Sequence, residues 1–267
     1  MKIAKSILFI LLISVLHYQA IAQKIAYSVQ NGHSHNDYEN EAPFFTAYNA
    51  GFGSIEADVF PVNGRLYVAH DKASITPERT LQSLYLDPLL SKLTADKSRH
   101  LILLVDIKEN HGLSLPILIK ELIPLQPIIT SGQLQIVISG NRPVPSQFSN
   151  YPDYIYFDDD QSRVSSTKQW GRVGLVSLRF SNLSNWKGEG KIPKEEKLRI
   201  KSTVDSVHKA GKKIRFWASP DNPKSWKLLM KLKVDLIGTD KIKQLTAFII
   251  PHKHNFGWFS TILSAKY

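Results

Sequence analysis

Short apolar runs alternate with amphipathic segments along most of the chain. Runs rich in β-branched and aromatic residues predict eight strands, at 25–30, 54–59, 100–107, 134–139, 154–157, 174–178, 213–217 and 234–238. Helical periodicity between them predicts helices, among them 43–50, 81–93, 113–125, 194–210 and 223–231. The run from Leu101 to Val105 is continuously apolar, which is typical of a strand covered on both faces.

Strands that alternate with helices predict an α/β fold, and eight of them predict a (β/α)8 TIM barrel in a single domain over 23–267. An open doubly wound sheet is the alternative, but its glycine-rich phosphate loop is missing after the first predicted strand. Residues 61–68 predict a small β-hairpin after strand 2, because Asn63-Gly64 is a favoured two-residue turn.

The first 22 residues resemble a signal peptide. Lys2 and Lys5 precede an apolar run over 7–16, and Ala20-Ile21-Ala22 is a small-residue cleavage site. The run is shorter than the roughly 20 residues that span a bilayer, so an uncleaved anchor is the less favoured alternative. The sequence therefore predicts an exported protein, periplasmic or secreted, after cleavage near Ala22.

Composition excludes several classes of chemistry. The 267 residues contain no cysteine, which excludes disulfides, thiolate zinc sites, iron–sulfur clusters and cysteine nucleophiles. Apolar residues make up 43% and charged residues 21%, as in soluble globular proteins. The 34 lysines and arginines against 23 acids give a net charge of +11, which favours anionic partners. The basic run over 187–215 is interpreted as a solvated face that could contact an anionic membrane; nucleic acid is not expected, since no recognisable module accompanies it.

Acidic residues lie at the ends of two of the predicted strands. Glu56 and Asp58 are two apart, so on a strand they point to the same face. Two such carboxylates repel each other unless a cation lies between them. One hard divalent ion, Ca²⁺ or Mg²⁺, would bind oxygen ligands there, completed by Asp106 and the Asn36 amide oxygen. The alternative is that these acids are solvated residues at strand ends. A third acidic group, Asp158-Asp159-Asp160, is expected to form a loop and a helix cap.

Histidines and a lysine lie beside these carboxylates in the sequence. His35 and His70 follow separate strands, as a general acid and a general base on either side of a reacting group would. Lys108 follows Asp106 by two and would neutralise oxygens of an anionic phosphodiester. The sequence therefore favours phosphodiester chemistry at the C-terminal ends of the strands.

Six motifs in chain order resemble the superfamily that joins glycerophosphodiester phosphodiesterases to phosphatidylinositol-specific phospholipases C. They begin at Ser34, Ser54, Val68, Leu104, Phe216 and Val234, and read SHNDY, SIEADV, VAHD, LVDIK, FWASPDN and VDLIGTD. The resemblance implies a TIM barrel, a divalent metal, and His35 and His70 as the acid/base pair. It also implies Glu56, Asp58 and Asp106 as metal ligands with Asn36 as a further one, and Lys108 and Trp217 in contact with substrate.

Some residues depart from the family pattern. The His-Arg-Gly of typical glycerophosphodiesterases is absent, so its phosphate-binding arginine is missing, and Asp106 stands where glutamate is usual. His33 also follows a glycine at a strand end, and is either the first catalytic histidine or, if His35 is, a substrate-pocket residue; we favour His35.

The expected function is that of an exported metal-dependent phosphoric diester hydrolase. Its substrate would be a glycerophosphodiester or a phosphoinositide-like lipid head group. The alternatives are a phospholipase C-type lyase that forms a cyclic phosphate, and a non-catalytic barrel that binds an anion or a lipid head group. The sequence leaves the oligomeric state open.

Overall fold

A computed structural model describes residues 27–160, 164 and 166–254, the last four of them in backbone only. The predicted signal peptide, 1–22, lies outside the described residues. So do the first two residues of the strand predicted at 25–30.

The described residues contain nine strands, and eight of them form a parallel barrel. The strands are β1 (Gly32–Ser34), β2 (Ser54–Val62), β3 (Arg65–Val68), β4 (Leu101–Ile107), β5 (Leu134–Gly140), β6 (Ile155–Asp159), β7 (Val173–Arg179), β8 (Ile214–Trp217) and β9 (Ile237–Thr239). Around the sheet the order is β8, β7, β6, β5, β4, β2, β1, β9. A parallel bridge between Arg215 and Leu236 brings the two edges together. The prediction of an α/β TIM barrel is confirmed.

Helices surround this barrel. They are α1 (Phe45–Ala50), α2 (Asp87–Ala95), α3 (His111–Glu121), α4 (Gln126–Thr130), α5 (Thr167–Gly171), α6 (Lys194–Lys209), α7 (Pro223–Lys231) and α8 (Ile242–His254). The start of α7 shows how local sequence sets a helix end. The Asn222 side chain accepts a hydrogen bond from the Ser225 backbone N–H and so caps the helix. Pro223 follows at the first helical position, where the N–H that proline lacks would have no partner in the helix. Within the described ranges, no single helix is long and apolar enough to cross a membrane. Helix α3 and the segment Ile123–Thr130 together reach that length and apolar composition, but they are bent by 51° at the break between them.

The first strand differs from the prediction. Residues Val29–Asn31 form a 3-10 turn capped by Ser28, and the Asn31 amide donates to the Asp235 carbonyl. The strand therefore begins at Gly32, and its three residues lie inside the barrel wall. The apolar run before it has the side-chain pattern of a strand, but that pattern alone does not show where the chain enters a sheet.

The predicted hairpin is confirmed. Strands β2 and β3 pair antiparallel from Val59–Val68 to Val62–Arg65. The turn between them places Asn63 at φ 48° and Gly64 at φ 75°, the left-handed region that this turn type requires. Ala69 and His70 follow β3 directly, and the Ala69 N–H donates to the Asp58 carbonyl at 3.3 Å, so the hairpin returns the chain to the level of Asp58 on β2.

The barrel interior has an apolar floor beneath a polar upper layer. The floor is a cluster of five buried side chains, Ile102, Leu104, Val137, Leu175 and Leu236. Residues two apart on a strand share a face, so Asp106 stands above Leu104 and Ser139 above Val137. The larger apolar core lies between the barrel and the helices. This arrangement directs polar side chains into the mouth of the barrel at the C-terminal ends of the strands.

Candidate active site

Three carboxylates gather inside the barrel mouth, as their spacing predicts. Glu56 and Asp58 come from β2 and Asp106 from the neighbouring β4, where Asp58 and Asp106 are paired in register. One oxygen from each of the three lies within 4.8 Å of the others. A set of hard carboxylate oxygens on adjacent strands fits a divalent cation such as Ca²⁺ or Mg²⁺.

The Lys108 ammonium lies between two of these carboxylates. Its Nζ is 2.7 Å from Asp58 Oδ2 and 2.6 Å from Asp106 Oδ2. Burial lowers the pKa of Lys108, but the charges and hydrogen bonds of the two aspartates outweigh burial and raise it. Burial together with Glu56 raises the pKa of Asp58 to about 6. Because both aspartates contact the Lys108 ammonium, they are close enough to share one cation, as a metal site requires.

Gly140, at the end of β5, allows Asp106 to lie against its backbone. Its φ is +68°, and a β-carbon there would meet Asp106 Oδ1 and lie 2.5 Å from the Ile107 carbonyl oxygen. A side chain at position 140 therefore displaces either the carboxylate or the strand end.

Substitution of Gly140 by alanine should destabilise the protein and disturb Asp106. Gly132 is a matched control, with φ +80° and open space where a β-carbon would be. We expect Gly132→Ala to lower the free energy of unfolding by about 1–2 kcal/mol, the cost of a left-handed alanine. Gly140→Ala should cost about 1–3 kcal/mol more because of overpacking. Equal losses in urea unfolding would show that the contact with Asp106 is not tight.

A buried ion pair lies on the inner side of the carboxylate set. Arg215, from β8, places Nη1 2.7 Å from Glu56 Oε2, and its Nε donates to the Ser177 hydroxyl at 2.8 Å. Burial raises the pKa of Glu56, but Arg215 and the hydrogen bond of His33 outweigh burial and hold that pKa well below its usual range. Glu56 is therefore ionised and fixed in position.

His33 is part of this buried group. Its Nδ1 lies 2.8 Å from the Ser54 hydroxyl, and its Nε2 lies 2.8 Å from Glu56 and 2.7 Å from Arg215. Burial, reinforced by the Arg215 charge, lowers the pKa of His33 to about 4, so the ring is neutral at pH 7. His33 is fully buried and does not line the cavity, so the structure does not bring it together with Lys108 and Trp217, the other residues predicted to contact substrate. Its position is beneath Glu56.

His35 lies at the cavity surface and is held by an aspartate. Its Nδ1 is 2.8 Å from Asp240 Oδ1, just after β9, and its backbone N–H donates to the Thr239 carbonyl. A carboxylate only accepts, so Nδ1 carries the hydrogen and Nε2 is left for proton transfer. Burial lowers the pKa of His35, but the hydrogen bond and charge of Asp240 and the charge of Glu56 outweigh burial and raise it.

The Tyr38 hydroxyl connects His70 to the carboxylate set. It donates to Asp58 Oδ2 at 2.6 Å, with Asn36 Oδ1 as a second acceptor at 2.9 Å, and lies 3.2 Å from His70 Nδ1. Since its single hydrogen is directed to the acceptors, the phenol oxygen accepts Nδ1–H of His70 and leaves that ring's Nε2 uncommitted. Asn36, the predicted fourth ligand, is therefore joined to Asp58 through Tyr38.

One polar cavity of about 390 Å³ covers the barrel mouth. Among the predicted site residues it is lined by His35, Glu56, Asp106, Lys108 and Trp217. His70 instead lines an adjoining cleft of about 330 Å³ with Tyr38, and its side chain is 67% exposed. The Asn36 side chain donates to Asp240 Oδ1 at 3.4 Å and accepts from Tyr38, so the two histidines belong to one hydrogen-bond network but line neighbouring cavities.

Trp217 forms part of the cavity rim. It is 40% exposed, and the Arg179 guanidinium lies 5.2 Å from its ring centroid. The sequence predicts that Trp217 contacts substrate, and its indole lies exposed at the cavity mouth. Arg179 adds positive charge beside it at the entrance.

Five functional candidates were not predicted from the sequence. Arg215 belongs to the basic run over 187–215, but it alternates with apolar residues in β8 and points inward. Asp158 and Asp159 are buried in β6, not in a loop and helix cap as expected. Tyr38 ends the motif SHNDY and Asp240 ends the motif VDLIGTD. Their place in these motifs is the sequence signal that could have identified both as site residues.

Comparison with known sequences finds a phosphodiesterase domain model and a group of fungal relatives. Residues 22–99 match the model of the AIM6-like phosphodiesterase domain. The altered inheritance of mitochondria protein 6 homolog of Arthroderma benhamiae is 30% identical over 258 aligned residues, covering 79% of this chain and 81% of the relative. The Kluyveromyces lactis protein 6 of the same name is 27% identical, covering 85% of this chain and 75% of the relative.

A solved structure shares the fold. A glycerophosphodiester phosphodiesterase from Parabacteroides distasonis superposes with a TM-score of 0.53 at 13% identity, covering 84% of this chain and 96% of that protein. The likeness confirms the barrel of the resembled superfamily. Together with the matched domain, it supports phosphodiesterase activity in general terms.

The relatives correct one prediction and fix the family. They are fungal proteins named for altered inheritance of mitochondria, and this finding contradicts the prediction of a periplasmic or secreted protein, which is wrong. The Arthroderma benhamiae relative reaches 30% identity, and the chain covers 81% of it. By these matches the chain belongs to the family of altered inheritance of mitochondria protein 6, whose domain model is the AIM6-like phosphodiesterase domain.

Proposed function

We propose that this protein is a metal-dependent phosphoric diester hydrolase that uses His35 and His70 as its acid/base pair. The observation that carries the proposal is that a carboxylate set and a histidine–aspartate pair open onto the same cavity. The carboxylates Glu56, Asp58 and Asp106 converge to within 4.8 Å, and the His35–Asp240 pair opens onto the same cavity as two of them.

The three carboxylates would hold one Ca²⁺ or Mg²⁺, with Asn36 as a further ligand. When bound, such an ion supplies positive charge that stabilises the phosphoryl oxygens. Lys108 lies beside Asp58 and Asp106, and its ammonium would face the same oxygens. Arg215 keeps Glu56 ionised, so that the carboxylate is always available as a ligand.

His35 and His70 would move the protons. Each ring has Nδ1 fixed by a neighbour, Asp240 for His35 and Tyr38 for His70, and each presents Nε2. One Nε2 would take a proton from the attacking water, and the other would give a proton to the leaving alkoxide. The substrate would be a small, polar phosphodiester, either a glycerophosphodiester or a phosphoinositide-like head group.

A chelation assay on the full chain tests this proposal. Purified protein is stripped with chelator and assayed on glycerophosphocholine, glycerophosphoinositol, phosphatidylinositol and a chromogenic diester, before and after Ca²⁺, Mg²⁺ or Mn²⁺ is restored. We expect turnover that chelator removes and one metal restores by at least about 100-fold, because the ion carries much of the charge stabilisation.

The products and the variants give the contrary outcomes. A cyclic phosphate product would assign attack to a substrate hydroxyl and make the protein a lyase. Calorimetric titration of the stripped protein with each metal, repeated on Asp106→Asn, reports binding without turnover. If neither turnover nor metal binding is seen with any ion, the hydrolase proposal is wrong and a non-catalytic barrel is favoured.

A further inference from the structure

The helices that follow β4 are apolar on their outer side as well as on their inner side. From His111 to Thr130, α3, a 3-10 turn and α4 contain one lysine, Lys120, and one acid, Glu121. An ordinary surface helix has an apolar side towards the core and charged residues on the opposite side. The inner side of these helices follows that rule and buries Leu115, Leu118, Leu122, Leu125, Ile128 and Ile129.

The outer side carries a stripe of exposed residues that departs from the rule. This α3–α4 stripe consists of Leu113, Pro116, Lys120, Ile123 and Pro127, all of them exposed. Their spacing of three and four residues places them on one side of the helices. Leu113 is 58% and Ile123 is 63% exposed, more than any other large apolar side chain in the described part of the chain. Exposed apolar residues that are grouped in this way, unlike isolated ones, mark an interaction surface.

The one acid of this segment is turned away from the stripe. The Glu121 carboxyl accepts the Leu66 backbone N–H from β3 and lies near Arg65. Its Oε2 is buried, and burial raises the pKa of Glu121 to about 7. The exposed charge of the stripe is therefore the positive charge of Lys120.

Composition and charge together select the partner. Helix α3 and Ile123–Thr130 have the length and apolar composition of a membrane span, but the 51° bend and the contacts of their inner side with the barrel favour lying on a bilayer over crossing it. A two-fold dimer through the stripe would bring Lys120 close to its own copy, and two chains of net charge +11 repel each other. An anionic bilayer offers hydrocarbon to Leu113 and Ile123 and negative charge to Lys120.

We propose that the α3–α4 stripe is a docking surface for an anionic membrane, with Leu113 and Ile123 inserted among the lipids. The stripe is separate from the basic run over 187–215, whose helix is α6. It begins beside the cavity mouth: His111 Nδ1 lies 3.0 Å from Asn141 Oδ1, just after β5, and the next residue, Arg142, lines the cavity. Docking would therefore hold the mouth of the barrel close to the lipid head groups.

A fluorescent label at one position tests this proposal on the full chain. The chain contains no cysteine, so Leu113→Cys and Ile123→Cys each accept a single nitrobenzoxadiazole label, which brightens and shifts to shorter wavelength in lipid. We expect a several-fold rise in fluorescence with vesicles of phosphatidylcholine and phosphatidylserine in equal parts, and a smaller rise with phosphatidylcholine alone. Leu198→Cys is the matched control, because Leu198 is 55% exposed on α6 within the basic run; its label should not respond.

A second substitution shows whether apolar insertion causes the response. Ile123→Glu, added to labelled Leu113→Cys, should raise the lipid concentration for half of the response by at least about 10-fold, because a charge replaces an aliphatic side chain that lipid would bury. Leu198→Glu in the same labelled chain should leave that concentration unchanged. Each label reports its own surroundings, so vesicle binding through another part of the chain does not imitate the result.

Several outcomes would overturn the proposal. They are labels at 113 and 123 that respond to neither vesicle, that respond equally to both, or that respond no more than the label at 198. A dimer in sedimentation velocity that Ile123→Glu dissociates would also overturn it and would show that a second copy covers the stripe. Since no arm measures turnover, the result is independent of the hydrolase proposal.

Discussion

Replacement of His35 by alanine should lower kcat/KM for phosphodiester hydrolysis by about 10²- to 10⁴-fold, the usual contribution of a general acid or base. The loss should leave stability nearly intact, because His35 and Asp240 are both partly exposed and an exposed ion pair contributes below about 1 kcal/mol. Steady-state kinetics and urea unfolding on the same preparation measure the two quantities.

His208 provides a matched control for this variant. Its Nε2 is 2.8 Å from Asp235 Oδ2, another histidine–aspartate pair, but Asp235 lies before β9 and so at the opposite end of the barrel. His208→Ala should keep wild-type turnover. If both alanine variants lose activity alike, the effect is one of folding and His35 has no special role.

The pH profile distinguishes a titrating His35 from a merely structural one. Asp240 is among the groups that raise the pKa of His35, so Asp240→Asn should lower that pKa. Whether His35 acts as base or as acid, the limb of the kcat/KM profile that it controls must then move to lower pH. A profile of unchanged shape with a lower plateau would show that Asp240 does not tune His35.

Spacing along one strand predicted more of this site than contacts between strands could. Glu56 and Asp58 share a face because strand side chains alternate, and Asp106 joins them because parallel neighbours keep register. These are local or nearest-neighbour facts, so the carboxylate set could be predicted. The hairpin turn at Asn63-Gly64 is local in the same way.

The missed residues depend on closure of the barrel. Arg215 meets Glu56 across 159 residues of sequence, and only the ring of strands brings the two together. His33 lies in the barrel wall because the first strand begins at Gly32, after a 3-10 turn, and a strand start of this kind is not visible in the side-chain pattern. Asp158 was hidden in a run of three acids whose composition favours a loop, although two of them are buried in β6.

Arg215 also makes the largest expected contribution to stability. Arg215 and Glu56 are both almost fully buried, with Nη1 and Oε2 2.7 Å apart. Arg215→Met would leave the Glu56 carboxylate buried without its cation, and we expect it to lower the free energy of unfolding by about 3–5 kcal/mol. Urea unfolding in the presence of chelator measures this without a contribution from bound metal.

The double variant Glu56→Gln/Arg215→Met shows whether unpaired charge is the cause. Replacing a buried ion pair by neutral groups of similar size is often close to neutral, so the double variant should recover most of the stability lost by Arg215→Met. Lys201→Met, which breaks an exposed pair with Asp205 on α6, should cost less than about 0.5 kcal/mol. If the double variant is as unstable as Arg215→Met, lost packing of the guanidinium explains the effect. In that case the pair would matter to function by holding Glu56 ionised and in place, with no net contribution to folding.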